Sequence, residues 1–244
     1  MIPDRAMVLA AGLGLRMRPL TEDRPKPLIE VLGRAMLDRA LDRLQAVGVA
    51  ECVINTHYRG AMIHDHLSRR AAPRVSFSDE ETLLDTGGGV KRALPRLGPG
   101  PFFAVNADVV WLDGRRPALK RLAEAWDDAT MDACLLLHST VRAIGYDGSG
   151  DFFLDPLGLV RRRCEHQVAP YVFTGVQILH PRLFADSPEG AFSLNLLYDR
   201  AEESGRLFAV VHDGEWFHIG TPDSLIDAEE AMGDIFRVDP RRDP

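Results

Sequence analysis

The chain is poor in the features that mark secreted, membrane-spanning or polymer-binding proteins. It has three cysteines among 244 residues, Cys52, Cys134 and Cys164, an odd number without C-x-x-C spacing. That argues against a disulfide framework and a thiolate metal cage. Cys52 and Cys134 lie within apolar runs and are expected to be small buried hydrophobes. No apolar run approaches the length of a membrane span. Asp4 and Arg5 precede a first strand too short for the apolar core of a signal peptide. A cytoplasmic location without a membrane partner is the expectation. Basic excess is missing too: 29 Lys and Arg stand against 36 Asp and Glu, a formal net charge of −7. A nucleic-acid partner is therefore not expected, because a phosphate-neutralising surface tilts the balance the other way. Repeats and low-complexity linkers are lacking, and His57, His64 and His66 have no metal-ligand spacing. Nor is there an obvious Ser–His or Cys–His pairing for nucleophilic catalysis.

What is present is alternation. Hydrophobic residues make up 45% of the chain, enough for one large α/β domain with a substantial core. Short apolar runs at 6–10, 51–55, 74–78, 102–106 and 132–138 predict buried strands. Between the first two, Met36, Leu37, Ala40, Leu41, Leu44 and Val47 form one helical stripe that Gly48 closes. A short helix is predicted near 59–69. The pattern predicts an α/β fold with a Rossmann-like, mostly parallel mixed sheet covered by helices on both faces. Ligands bind outside the carboxyl ends of such strands, which draws attention to the loop after Ala10 and to Asn106-Ala107-Asp108. From about residue 140 the texture becomes glycine-rich and β-like. A long strand at 171–180, a helix near 193–204, a strand at 207–211 and a closing helix at 221–234 follow.

The loop after the first strand carries the chemistry. Gly12 and Gly14 permit a close backbone approach and expose amide N–H groups to an anion, while Arg16 and Lys26 supply charge. Arginine grips phosphate bidentately, and lysine is a mobile point charge able to follow a reacting group. Like charges about 4 Å apart repel by ~4 kcal/mol at an effective dielectric of 20. Bringing two phosphate groups together thus needs several cations. Glycine spacing alone is a weak signal, since it matches neither the P-loop string nor the dinucleotide fingerprint.

The full string LAAGLGLRMRPLTEDRPKPL (9–28) resembles the signature of the nucleoside-triphosphate:sugar-1-phosphate nucleotidyltransferases, LAAGxGxRxxPxTxxxPKP, at every fixed position. The resemblance implies a GT-A-like nucleotide-diphospho-sugar transferase fold in one domain. Residues 1–139 would form its nucleotide-binding part, and 140–244 a β-rich sugar-phosphate-binding elaboration. It further implies that Leu9, Ala10, Ala11, Gly12 and Gly14 contact the nucleotide. Arg16 would hold the triphosphate and Lys26 would support the transferring phosphoryl group, both as catalytic residues. DTGGGVKRALP (85–95), with three glycines before a helical run, resembles the family's nucleobase-pocket segment, so Gly87 and Gly88 are assigned there. Glu80 stands where the family reads the base, and a carboxylate there suits uracil or guanine alike.

Asp108 occupies the place of a metal-binding aspartate, implying Mg²⁺ as cofactor, and Thr174, Gly175 and the Asp151 of GDF (150–152) match sugar-phosphate contacts. In the C-terminal EWFHIGTPDSL, His218 replaces a second metal-binding aspartate. Imidazole suits Mg²⁺ poorly, so Asp223 or His218 would have to assist Asp108, or His218 would meet a phosphate directly. Arg161, Arg162 and Arg163 form either a sugar-phosphate clamp or a solvated strand edge. The implied partners are a nucleoside triphosphate and a sugar 1-phosphate. Among compact members of the family, DTGGGVKRALP, GDF, FTGVQILHPRLF and GAFSLNLL resemble most those that join UTP to N-acetylmuramate 1-phosphate, with GTP-dependent transfer to mannose 1-phosphate as the runner-up. The base and the sugar are left open. A non-catalytic sensor is the alternative that His218 raises, against which Arg16, Lys26 and Asp108 argue.

Overall fold

The computed structural model describes residues 2–239. Strand β1 (Arg5–Leu9) leads into the glycine loop, which holds 3-10 turns at Leu15–Met17 and Lys26–Leu28. A small hairpin, β2 (Glu30–Val31) and β3 (Arg34–Ala35), precedes α1 (Met36–Ala46). Next come β4 (Glu51–Thr56), α2 (Gly60–Leu67), β5 (Arg74–Asp79), α3 (Asp85–Leu97), β6 (Phe102–Asn106) and β7 (Val110–Leu112). The remainder comprises α4 (Ala118–Ala125), β8 (Ala133–Ser139), β9 (Phe152–Leu154), β10 (Val160–Arg162) and β11 (Tyr171–Leu179). It ends with α5 (Asn195–Glu203), β12 (Leu207–Val211), β13 (Glu215–Phe217) and α6 (Pro222–Val238).

Nine strands form the central sheet, along the order β10-β9-β11-β6-β1-β4-β5, with β8 on β11 and β12 on β8. β6, β1, β4 and β5 run parallel, as their uninterrupted apolar runs require of strands buried on both faces. β11 runs antiparallel to β6, β8 and β9 and is the pivot of the second half. Helices α1, α2 and α4 cover one face, and α3 and α5 cover the other. In α1 the buried Met36, Leu37, Ala40, Leu41 and Leu44 repeat at helical spacing, and Gly48 at φ +93° ends it in the left-handed region.

A third core, built from Met17, Ile29, Val31, Met36, Leu112, Phe217 and Ile219, seats α6. That helix starts at a capping box in which Thr221 and Ser224 satisfy each other's backbone N–H groups, with Pro222 in its first turn. Its start fixes the His218–Gly220 segment beside the glycine loop. Burial pushes the thiols of Cys52 and Cys134 up to about 12, so neither is a nucleophile. Among the described residues no helix is long and apolar enough to cross a membrane.

One expectation changes at this level. The three glycines of 85–95 do not precede a helix: α3 begins at Asp85, so Gly87, Gly88 and Gly89 lie inside it and are buried. They have no side chain to strengthen the helix, and the reason for them is packing. Gly87 and Gly88 both donate backbone N–H groups to the Phe192 carbonyl, at 2.8 and 3.1 Å. A Cβ on Gly87 would lie 2.3 Å from the Phe192 ring, and one on Gly88 would lie 2.2 Å from the Gly190 carbonyl oxygen.

Candidate active site

Leu9, Asn55 and Asn106 stand side by side where β1, β4 and β6 end, because Leu9 pairs in register with both asparagines. All three line a cavity of about 540 Å³, together with Ala10, Ala11, Gly12, Gly14, Arg16, Lys26 and Asp108. Leu83, Asp85 and Thr86 at the start of α3 form its far wall. The signature loop is thus gathered around one space. Gly14 has φ +64°, and a Cβ there would press on Lys26 Cβ at 3.0 Å and Thr21 Cγ2 at 3.1 Å. Gly12 is different: a Cβ would meet no protein atom within 4 Å, so the space beside it is open cavity.

A second cavity, of about 270 Å³, opens on the other side of Arg16, Lys26, Asn106 and Asp108. Asp151, Thr174, Gly175, Tyr146 and His218 line it. The four residues common to both spaces form a shared wall. Within it, Lys26 Nζ donates to Asp108 Oδ2 at 2.5 Å across 82 positions of sequence. The Lys26 side chain is only 13% exposed, against 36% for Asp108. Gly175, at φ +82° beside an irregularity in the β11–β8 register, lets Asn106 approach; a Cβ would lie 2.9 Å from its Nδ2.

His218 sits in the second cavity with its ring edge-on to Tyr146 at 5.8 Å. Burial, then the charges of Lys26 and Arg16, push its pKa below the ordinary histidine value, so it presents a neutral imidazole at neutral pH. Asp223, by contrast, lies exposed in the first turn of α6 and lines neither cavity. It does not share a cavity with Asp108. Among the described residues no group of three or more His, Cys, Asp or Glu is arranged to hold a metal ion.

Two other assignments are corrected by the geometry. Gly87 and Gly88 do not line the first cavity; their amides are spent on Phe192. Glu80 is buried rather than open to a base. Its Oε1 accepts from Asn55 Nδ2 at 2.8 Å and its Oε2 from the Leu84 N–H at 2.9 Å. Asn55 Oδ1 in turn accepts the Ala10 N–H at 2.8 Å, so Glu80 braces two cavity walls through Asn55. Thr174 borders the second cavity but is buried, and its hydroxyl donates to the Leu136 carbonyl at 2.8 Å. Its own carbonyl accepts the Trp216 Nε1–H at 3.1 Å.

Asn55 is the residue that sequence reasoning missed. Its signal was a polar side chain closing an apolar parallel strand, the position where such sheets hold ligands. Of the arginine cluster, Arg162 pairs with Asp199 at 2.7 Å and Arg161 stacks over Phe153. Arg163 turns its guanidinium into the loop around it, where Nε donates to the Gly150 carbonyl at 2.6 Å. His64 and His66 form surface pairs with Asp79 and Asp38.

The chain resembles known proteins over most of its length. Residues 6–187 match the family described as the MobA-like NTP transferase domain. The chain is 46% identical to the N-acetylmuramate alpha-1-phosphate uridylyltransferase of Caulobacter vibrioides, over 95% of this chain and 98% of that one. It is 33% identical to the enzyme of the same name from Neisseria meningitidis serogroup B, over 94% of this chain and 98% of that one. A solved UDP-glucose pyrophosphorylase with UDP-glucose shares the fold at a TM-score of 0.77 and 16% identity, covering 96% of this chain and all of that one.

Proposed function

The chain belongs to the MobA-like NTP transferase domain family, and from that premise we propose that it condenses UTP with N-acetylmuramate 1-phosphate, giving UDP-N-acetylmuramate and pyrophosphate. The observation that carries this reading is the wall of Arg16, Lys26, Asn106 and Asp108 common to two cavities. A transfer between two phosphate-bearing substrates needs one space for each and the reacting groups where the spaces meet.

In this reading the triphosphate lies along the glycine loop, with its base toward Leu83–Thr86. The sugar phosphate enters from the side of Asp151 and Gly175. A phosphate oxygen of the sugar attacks the α-phosphorus; a new O–P bond forms and the bond from the α-phosphorus to the bridging oxygen of pyrophosphate breaks. A phosphate monoester is already a nucleophile, so no general base is required. Catalysis rests on alignment and charge neutralisation. Lys26, released from Asp108, follows the transferring group, and Arg16 grips the departing pyrophosphate.

One carboxylate at the meeting of the two cavities fits a Mg²⁺ ion, which binds through one or two carboxylates plus substrate phosphates and water. Asp108 would hold it, and when bound it would neutralise phosphate charge. His218, neutral and nitrogen-bearing, suits a phosphate hydrogen bond better than that ion. Buried free thiols at Cys52 and Cys134 support a reducing cytoplasmic setting.

The test is pyrophosphate release with Mg²⁺, each nucleoside triphosphate and a panel of sugar 1-phosphates. UTP with N-acetylmuramate 1-phosphate should turn over fastest. Faster turnover of GTP with mannose 1-phosphate would replace the substrate assignment, and silence with every pair would favour a sensor.

A further inference from the structure

A third cavity, of about 370 Å³, adjoins the sugar-side space and shares Asp151 and Phe173 with it. Its other walls include Arg162 and Arg163, which follow one another at the end of β10, and Asn195 and Tyr198 from α5. The two arginines are in opposite electrostatic states. Arg162 is neutralised by a bidentate pair with Asp199, Nε to Oδ1 at 2.7 Å and a second nitrogen to Oδ2 at 3.0 Å. Arg163 meets only neutral acceptors. Its Nε donates to the Gly150 carbonyl at 2.6 Å, and Nη1 donates to the carbonyls of Cys164, Glu165 and Gln167 at 3.4, 3.0 and 3.3 Å. Among the described residues no carboxylate lies within ion-pair distance of it. Its charge is met by no direct ion pair, and its plane is already fixed, so little freedom is lost when an anion binds.

We propose that this cavity is a carboxylate subsite in which Arg163 reads the acidic side group of the sugar. The inference rests on the N-acetylmuramate reading above, because the lactyl ether of that sugar ends in a carboxylate that N-acetylglucosamine lacks. A sugar lying against Asp151 and Phe173 with its phosphate at Lys26 can extend that ether across the shared wall. Two carboxylates also line the cavity, Asp151 and Glu165. Asp151 accepts the Phe173 N–H on Oδ2 at 2.8 Å, which leaves its other oxygen for a sugar hydroxyl. Glu165 is exposed, where water and salt screen it. Phe173 and Tyr198 supply an apolar wall for the lactyl methyl group. A guanidinium that served only to staple the 150–167 loop would not distinguish an acid from its amide.

The experiment compares kcat/KM for N-acetylmuramate 1-phosphate and for its lactamide analogue, in wild type and in Arg163→Gln. Wild type should prefer the acid by about tenfold to a hundredfold, the range of a charge-assisted hydrogen bond. The preference should collapse toward one in the variant. Wild type indifferent to the amide, or a variant that keeps the acid preference, overturns the proposal. If Arg163→Gln does not fold, Arg163→Lys replaces it and should keep only part of the preference. A wild type that turns over other sugar phosphates but neither muramate overturns the substrate reading itself, which the preceding panel detects separately.

Discussion

The molecule uses glycine twice beside the first cavity, for opposite reasons. In the loop after β1, an added Cβ at Gly12 would project into open space. In α3, an added Cβ at Gly88 would collide with the Gly190 carbonyl at 2.2 Å. One stretch borders open cavity, and the other is bare so that a loop can reach a helix. Sequence composition alone makes the two look alike, and both match the family's nucleotide-site motifs. What separates them is whether the space next to the glycine is already filled by protein.

That difference can be broken or sharpened by experiment. The largest effect is expected from Lys26→Ala, which removes charge from the shared wall. Turnover should fall about 100- to 1000-fold with an unchanged melting temperature, and near-normal kcat would remove Lys26 from the mechanism. Gly88→Ala should act on the fold instead, costing about 3 kcal/mol because the clash is with backbone; urea unfolding at wild-type stability would contradict the packing role. Gly12→Ala should leave stability alone and weaken UTP binding about tenfold, measured by calorimetry. If it lowered the melting temperature as Gly88→Ala does, the contrast would dissolve.

The smallest effect concerns histidines on the packed side of this divide. Burial holds His138 and His212 below the ordinary histidine value. The unfolded chain therefore binds protons more readily than the folded one below about pH 6.5, and stability falls as pH is lowered through that range. The loss should show as a falling melting temperature between pH 7.5 and 5.5. A His138→Asn/His212→Asn variant should show a flatter stability–pH slope in melting experiments, without a change in nucleotide affinity.

The parallel half of the sheet, the stripe of α1 and the loop signature were all legible beforehand. Each depends on residues close in sequence: buried parallel strands need continuous apolar runs, and helices repeat every three or four positions. Boundaries moved by a few residues, as for α6, which runs to Val238 rather than 234. The residues that were misjudged depend on partners far away. Glu80 looked like a base reader until its carboxylate was found between Asn55 and the Leu84 N–H. Asp223 looked like a metal ligand until α6 carried it to the surface.

The sequence by itself determined that a cationic, glycine-bearing loop follows the first buried strand, because local backbone freedom and charge are written in consecutive residues. Only the tertiary structure decided that Lys26 meets Asp108, that Asn55 and Asn106 flank Leu9, and that Gly87 and Gly88 belong to packing. Such contacts arise from how whole elements stack against one sheet. The side chains that meet there are tens of positions apart, and no local periodicity records which of them will share a space.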